Sequence, residues 1–185
     1  MDALKTSLNY FSFKSVIGDI YYIWSESERD AGKAAMTVRQ IFWINYIGLG
    51  EKAFNNYLDK ISRKFYRTEP VIIENQNICI EEEIEKFLAK KSKEINLMPD
   101  FLTGTDFQKK VWSELMKVPY GKTASYKKIA VQIGKSNAFR AAGTAIGNNP
   151  LLILVPCHRV IKSSGEMGNF SSGVKIKKFL LDLES

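Results

Sequence analysis

Aromatic and β-branched residues crowd the first third of the chain, whereas apolar residues at three- to four-residue spacing dominate the rest. Residues 8–13 are aromatic-rich, Val16-Ile17-Gly18-Asp19 reads as a turn, and residues 20–24 form a second β-prone run. A polar loop over 25–33 leads to a third expected strand at 38–46. Connections this short favour antiparallel pairing. Residues 51–65 follow as a helix, with Phe54, Leu58, Ile61 and Phe65 on one face. A second helix is expected over 81–93, where Ile84, Phe87 and Leu88 make an apolar stripe. Its acidic start (Glu81, Glu82, Glu83, Glu85) and basic end (Lys90, Lys91, Lys93) complement the helix dipole. That electrostatic reading of the glutamates is preferred to a metal site.

Pro99 and Gly104 punctuate residues 96–104, and the charge balance changes there. Residues 1–100 carry 14 basic and 15 acidic side chains; residues 101–185 carry 13 and 5, a net of +8. The break divides the chain into a nearly neutral half (1–100), expected to be structural, and a basic half (101–185). Such asymmetry favours a polyanionic partner, most often nucleic acid. Within the basic half, Thr105-Asp106-Phe107-Gln108 has capping-box spacing and opens a helix to about Met116. Residues 125–133 form another helix closed by Gly134. Ser136 or Asn137 is expected to cap a third, running to about Ile146. Two short helices about a glycine-containing turn suggest a helix-turn-helix. The second of them carries Ala138, Ala141, Ala142, Gly143 and Ala145, almost without bulk, beside one long cation, Arg140. A smooth face of this kind fits a narrow groove or a tightly packed interior.

The 185 residues are 45% hydrophobic and 12% aromatic, enough for a core, which excludes wholesale disorder. No stretch has the ~18–20 uncharged apolar residues of a membrane span. The start has no signal-peptide pattern, so a cytoplasmic location is expected. Two Cys and one His cannot complete a Cys/His zinc site without carboxylates. Cys79, between Ile78 and Ile80, reads as a buried structural thiol.

The chemically loaded segment is Val155-Pro156-Cys157-His158-Arg159-Val160, which places a cysteine beside the chain's one histidine after an apolar run. A neighbouring base raises the thiolate fraction, and the thiolate is the nucleophile. Sequence adjacency alone is weak evidence, and taken by itself such a pair is more often structural than catalytic. Pro156-Cys157-His158-Arg159-Val160, with Gly147-Asn148-Asn149-Pro150 before it, resembles the active-site signature of the O6-alkylguanine-DNA alkyltransferases. The resemblance continues through Val118-Pro119-Tyr120-Gly121-Lys122-Thr123, Ser125-Tyr126, residues 138–143 and Gly168-Asn169-Phe170-Ser171, and covers about 103–184.

The resemblance implies an α+β protein: an N-terminal ribonuclease-H-like, three-stranded antiparallel sheet with helices, then a C-terminal winged-helix-type domain. It implies stoichiometric, irreversible transfer of an alkyl group from O6-alkylguanine in double-stranded DNA to Cys157 by a monomer without cofactor or metal. O4-alkylthymine stays open as a further substrate. His158 would be the base, Glu184 its orienting carboxylate, and Asn149 the bridge that holds the site turn. Tyr126 would supply a proton or hydrogen bond to the departing base and help turn the nucleotide. The base pocket would comprise Tyr126 with the backbone of Val160 and Ser171. Leu152 and Ser172, which depart from the commoner Pro and Gly of the family, would border it. Minor-groove binding would use Arg140 as the residue filling the vacated stack. Ala138, Ala141, Ala142 and Gly143 would form the groove face, and Lys127 and Lys135 would contact phosphates, with Lys128, Lys162 and Lys175 as further candidates. A non-enzymatic winged-helix DNA binder is the principal alternative, and a Cys-His hydrolase a second.

Overall fold

The computed structural model describes residues 8–26, 42–64 and 72–185. Three strands, β1 (Leu8–Ser15), β2 (Gly18–Glu26) and β3 (Phe42–Leu49), form an antiparallel meander. The first residues of the third expected strand, 38–41, and Phe65 of the first helix lie outside the described residues. The β1–β2 hairpin closes through Gly18, whose φ of +118° suits a glycine. α1 (Glu51–Lys64) follows β3 directly and buries Phe54, Tyr57 and Ile61 against the sheet.

Two short strands absent from the sequence expectation extend the meander. β4 (Ile72–Glu74) pairs parallel to β1, and β5 (Met98–Pro99) parallel to β3. The sheet is therefore five-stranded and mixed, in the order β4-β1-β2-β3-β5, rather than three-stranded and antiparallel. Segment 96–104 thus contributes an edge strand.

α2 (Ile78–Leu88) starts and ends earlier than its charge pattern suggested. Asn77 caps it by accepting from Ile80 N–H. Lys90, at φ +58°, ends it: Lys90 N–H donates to Phe87 C=O and Lys91 N–H to Lys86 C=O, a left-handed stop. The helical rotation turns Ile80, Ile84, Phe87 and Leu88 inward and leaves Cys79 exposed, contrary to the buried thiol expected from its apolar neighbours. The glutamates have structural partners: Glu81 accepts from the Tyr22 hydroxyl, Glu83 from Asn96 N–H, and Glu82 pairs with Lys86.

The basic half packs α3 (Asp106–Leu115), α4 (Tyr126–Gln132) and α5 (Phe139–Gly147) against one another. The Thr105–Gln108 capping box forms as its spacing predicts. Ser125 caps α4. At α5 the N-cap is Ala138, without a side-chain hydrogen bond, so neither Ser136 nor Asn137 caps it. Trp112 of α3 donates its indole N–H to Ala145 C=O at 2.8 Å and ties the two helices together. A parallel pair, β6 (Ala124–Ser125) with β7 (Val160–Ile161), and α6 (Val174–Leu183) complete the chain. One continuous core runs from Ile20 and Trp24 of the sheet through Trp112 to Leu180.

Candidate active site

The segment bearing Cys157 is fastened from three sides. Its approach, 150–152, lies along the β3 edge beyond β5: Ile47 N–H donates to Pro150 C=O at 3.0 Å and Leu152 N–H to Ile47 C=O at 2.9 Å. Ile153 then adopts φ +69°, a costly left-handed conformation for a β-branched residue, held in place by burial. The chain turns there into the one-turn helix Cys157–Arg159, whose exit strand β7 pairs with β6. That pairing sets Ala124 against Val160 and Ser125 against Ile161, so Tyr126, the first residue of α4, follows directly from the strand that holds the exit of the Cys157 turn.

Cys157 is 2% exposed. Asn149 donates its side-chain amide to Cys157 Sγ at 3.1 Å and to the carbonyls of Val155 and Leu151, while its Oδ1 accepts from Leu151 N–H. Burial pushes the thiol pKa up; the Asn149 hydrogen bond and the nearby Lys177 charge pull the other way. The balance keeps the sulfur a thiol until a base takes its proton.

His158, fully buried, has Nε2 2.8 Å from Glu184 Oε1. Burial lowers its pKa despite the adjacent carboxylate, so the imidazole is neutral at physiological pH. A carboxylate only accepts, so Nε2 carries the proton and Nδ1 the lone pair. Nδ1 is buried with no hydrogen-bond partner among the described residues. Glu184 is itself held at both oxygens: Arg159 Nε donates to Oε1 and Oε2, Arg159 Nη2 to Oε1, and Gly121 N–H to Oε2. Burial opposes its ionisation, but the hydrogen bonds from His158 and Arg159 outweigh that and hold its pKa at about 2.

Tyr126 is half-buried with its ring between two glycines. A Cβ on Gly143 would lie 3.5 Å from the ring, and one on Gly168, at φ +69°, would lie 2.9 Å from the hydroxyl. Burial and the neighbouring Cys157 raise the Tyr126 pKa, against Lys162, and keep the hydroxyl protonated.

Two buried cations were not singled out in the sequence. Arg159 holds Glu184 and also donates to Val118 C=O. Lys177, 0% exposed, donates from α6 to Val160 C=O and Met167 C=O, pinning the backbone on which Tyr126 rests. The signal for Lys177 was its register, three residues before the buried Leu180, on a helix otherwise lined with exposed lysines.

The structure brings Cys157, His158, Glu184, Asn149, Tyr126, Val160 and Leu152 together, with Ser172 half-buried and Ser171 exposed at the rim. On α5, Ala141 and Arg140 face solvent, and Ala138 and Gly143 are half-buried. Ala142 is fully buried in the core and so belongs to the packed face of the helix rather than its open one. Lys127, Lys128, Lys135, Lys162 and Lys175 are exposed, and Lys162 pairs with Glu166.

Residues 106–185 match the 6-O-methylguanine DNA methyltransferase, DNA-binding domain, family. A methylated-DNA–protein-cysteine methyltransferase of Methanosarcina barkeri is 47% identical over 116 residues, 60% of this chain and 72% of that protein. The chain belongs to the methylated-DNA–protein-cysteine methyltransferase family. A second relative of that name, from Mycobacterium bovis, is 46% identical over 103 residues, 56% of this chain and 62% of its own. The likeness to solved family structures extends over both halves. The Mycobacterium tuberculosis protein crystallised in complex with DNA superposes with a TM-score of 0.71 at 31% identity, covering 95% of this chain and 92% of its own. The N-terminal sheet, whose sequence resembled the family only in outline, is thus part of the shared architecture. No helix among the described residues is long and apolar enough to cross a membrane.

Proposed function

We propose that this chain repairs DNA directly, by moving the alkyl group of O6-alkylguanine onto Cys157 once and irreversibly. The observation that carries the reading is the hydrogen-bonded series from Glu184 through His158, with a buried Nδ1 lone pair, next to a buried thiol held by Asn149.

His158 Nδ1 takes the Cys157 proton, directly or through one water, and Glu184 stabilises the imidazolium that forms. Sγ attacks the alkyl carbon; the S–C bond forms as the C–O6 bond breaks, leaving its electron pair on the guanine. The Tyr126 hydroxyl, protonated in its pocket, donates to the departing ring and offsets the charge developing there. Guanine, proton restored, returns to the duplex. The product thioether has no leaving group that water can displace, so each polypeptide acts once.

A thiol this enclosed cannot meet O6 inside stacked DNA, so the nucleotide must rotate out at a cost of a few kcal/mol. We assign α4 and α5 as the helix-turn-helix of a winged-helix-type unit, with the open face of α5 (Ala138, Ala141, Gly143) in the minor groove and Arg140 filling the gap. Lys127 and Lys135 then neutralise phosphates. The sheet with α1 and α2 is assigned as the ribonuclease-H-like half, residues 1–100. A nucleophilic thiol of this kind stays reduced in a compartment such as the cytoplasm.

Duplex carrying labelled O6-methylguanine should lose its label to the protein, and Cys157→Ala should abolish transfer while retaining DNA binding. Transfer that survives in Cys157→Ala would overturn the assignment.

A further inference from the structure

One bulky side chain interrupts the small-residue face of α5. Phe139, the first residue of that helix, is 45% exposed, more than any other described aromatic side chain, and belongs to neither hydrophobic cluster. The helix is anchored without it, through Ala142, Ala145 and Ile146. An exposed apolar residue is ordinary by itself. Two relationships set this one apart. The Arg140 guanidinium lies over the Phe139 ring, 5.8 Å from its centroid, so ring and cation leave the helix as a pair. Phe139 also shares a helix side with Gly143, one turn on, where a Cβ would lie 3.5 Å from the Tyr126 ring. Arg140 stands farther round, in line with the exposed Thr144 and Gly147. The ring is thus on the Tyr126 side of the open face and the guanidinium on its outer side.

The surroundings suit a polyanion. Residues 115–165 contain eight Lys or Arg and no Asp or Glu. Arg140 has no ion-pair partner among the described residues, and Lys127, Lys128 and Lys135 are exposed. An aromatic ring beside an unpaired guanidinium, on a basic surface free of carboxylates, is poorly matched to water and well matched to bases lying between phosphates. Apolar side chains that enter the minor groove partially unstack a base step and bend the duplex. A base that has already lost a stacking neighbour rotates out at lower cost.

We propose that Phe139 is a wedge: it enters the minor groove beside Arg140 and unstacks the base step next to the lesion, on the Tyr126 side. An aromatic ring and a cation then extrude the nucleotide together. The inference rests on the alkyl-transfer reading with α5 in the minor groove, and adds to it a residue outside the small-residue face. Phe139 is a positioning residue, acting on the neighbouring base step rather than on the alkyl group, and the covalent step is unchanged. Arg140 fills the space the nucleotide leaves, whereas Phe139 lowers the work of emptying it.

The test uses the full chain under single-turnover conditions, with O6-methylguanine presented in a duplex and as the free base. The ratio of duplex rate to free-base rate should fall roughly fivefold to a hundredfold in Phe139→Ala, the scale of loss when a ring that stacks on a base is truncated. Phe139→Tyr, which keeps the ring, should hold the ratio near that of the unsubstituted protein. Unstacking is read separately, by the fluorescence of 2-aminopurine placed next to the lesion, in the Cys157→Ala background where the complex persists without transfer. With the duplex saturated by protein, the signal should rise when Phe139 is present and stay near that of free duplex in Phe139→Ala. A ratio unchanged or raised in Phe139→Ala, or a signal that rises as much without the ring, would overturn the proposal. Absence of transfer from the duplex to Cys157 in the unsubstituted protein would instead overturn the alkyl-transfer reading beneath it.

Discussion

Glu184 Oε1 lies 2.8 Å from His158 Nε2, although the two residues are 26 positions apart and both are almost wholly enclosed. The contact joins the end of α6 to the one-turn helix that carries Cys157, so the last turn of the chain sets the tautomer of the base.

Glu184→Gln should therefore weaken both stability and rate. It leaves Arg159 buried without its counter-charge, a change that costs about 3–5 kcal/mol in comparable pairs. The folded pKa of Glu184, about 2, lies below its ordinary value near 4.5. The carboxylate's contribution is thus complete above about 4.5 and is lost as pH falls through about 2. Urea unfolding of both proteins from pH 7 to pH 2.5 should show a large gap that narrows across that acid window. His158, whose pKa is lowered by burial, should keep transfer near its full rate at pH 6.5 and let it fall only below that. A half-maximal rate above pH 6.5 would contradict a buried neutral imidazole.

Asn149→Ala removes the donor to Cys157 Sγ and one of the two donors to each of the Val155 and Leu151 carbonyls, which keep their backbone N–H partners. A hydrogen bond to a charged group is worth about 1.5–3 kcal/mol, so single-turnover transfer should slow by roughly 10- to 100-fold. DNA affinity, read by anisotropy, should change little.

Gly168→Ala brings a Cβ to 2.9 Å from the Tyr126 hydroxyl and imposes a left-handed φ that costs about 1–2 kcal/mol for a residue with a side chain. Gly143 backs the ring on its other side, so the tyrosine must turn out of its slot. Transfer should slow more than the loss of stability explains. An alanine variant as fast as the parent would show that the ring position is immaterial.

Local chemistry was legible from the sequence where it is carried by near neighbours. The Thr105–Gln108 capping box and the hairpin at Gly18 both formed as written. Contacts made at long range were not. β4 and β5 are three and two residues long, and their strand character comes from parallel pairing with β1 and β3 rather than from any alternation of their own. Cys79 looked buried because its neighbours are apolar, but the Asn77 cap turned that stretch into a helix and swung it outward. Arg159 and Lys177 were not singled out because enclosure of a charge depends on partners, Glu184 and two carbonyls, that only the fold supplies.

In this mechanism one sulfur is spent for each base restored. Intact-protein and peptide mass spectrometry, after incubation with a tenfold excess of duplex containing O6-methylguanine, tests it most directly. One methyl group per chain, located on Cys157, with one equivalent of guanine restored and the remaining lesions untouched, is the predicted result. Repair of several lesions per chain, or a protein recovered at its original mass, would contradict it.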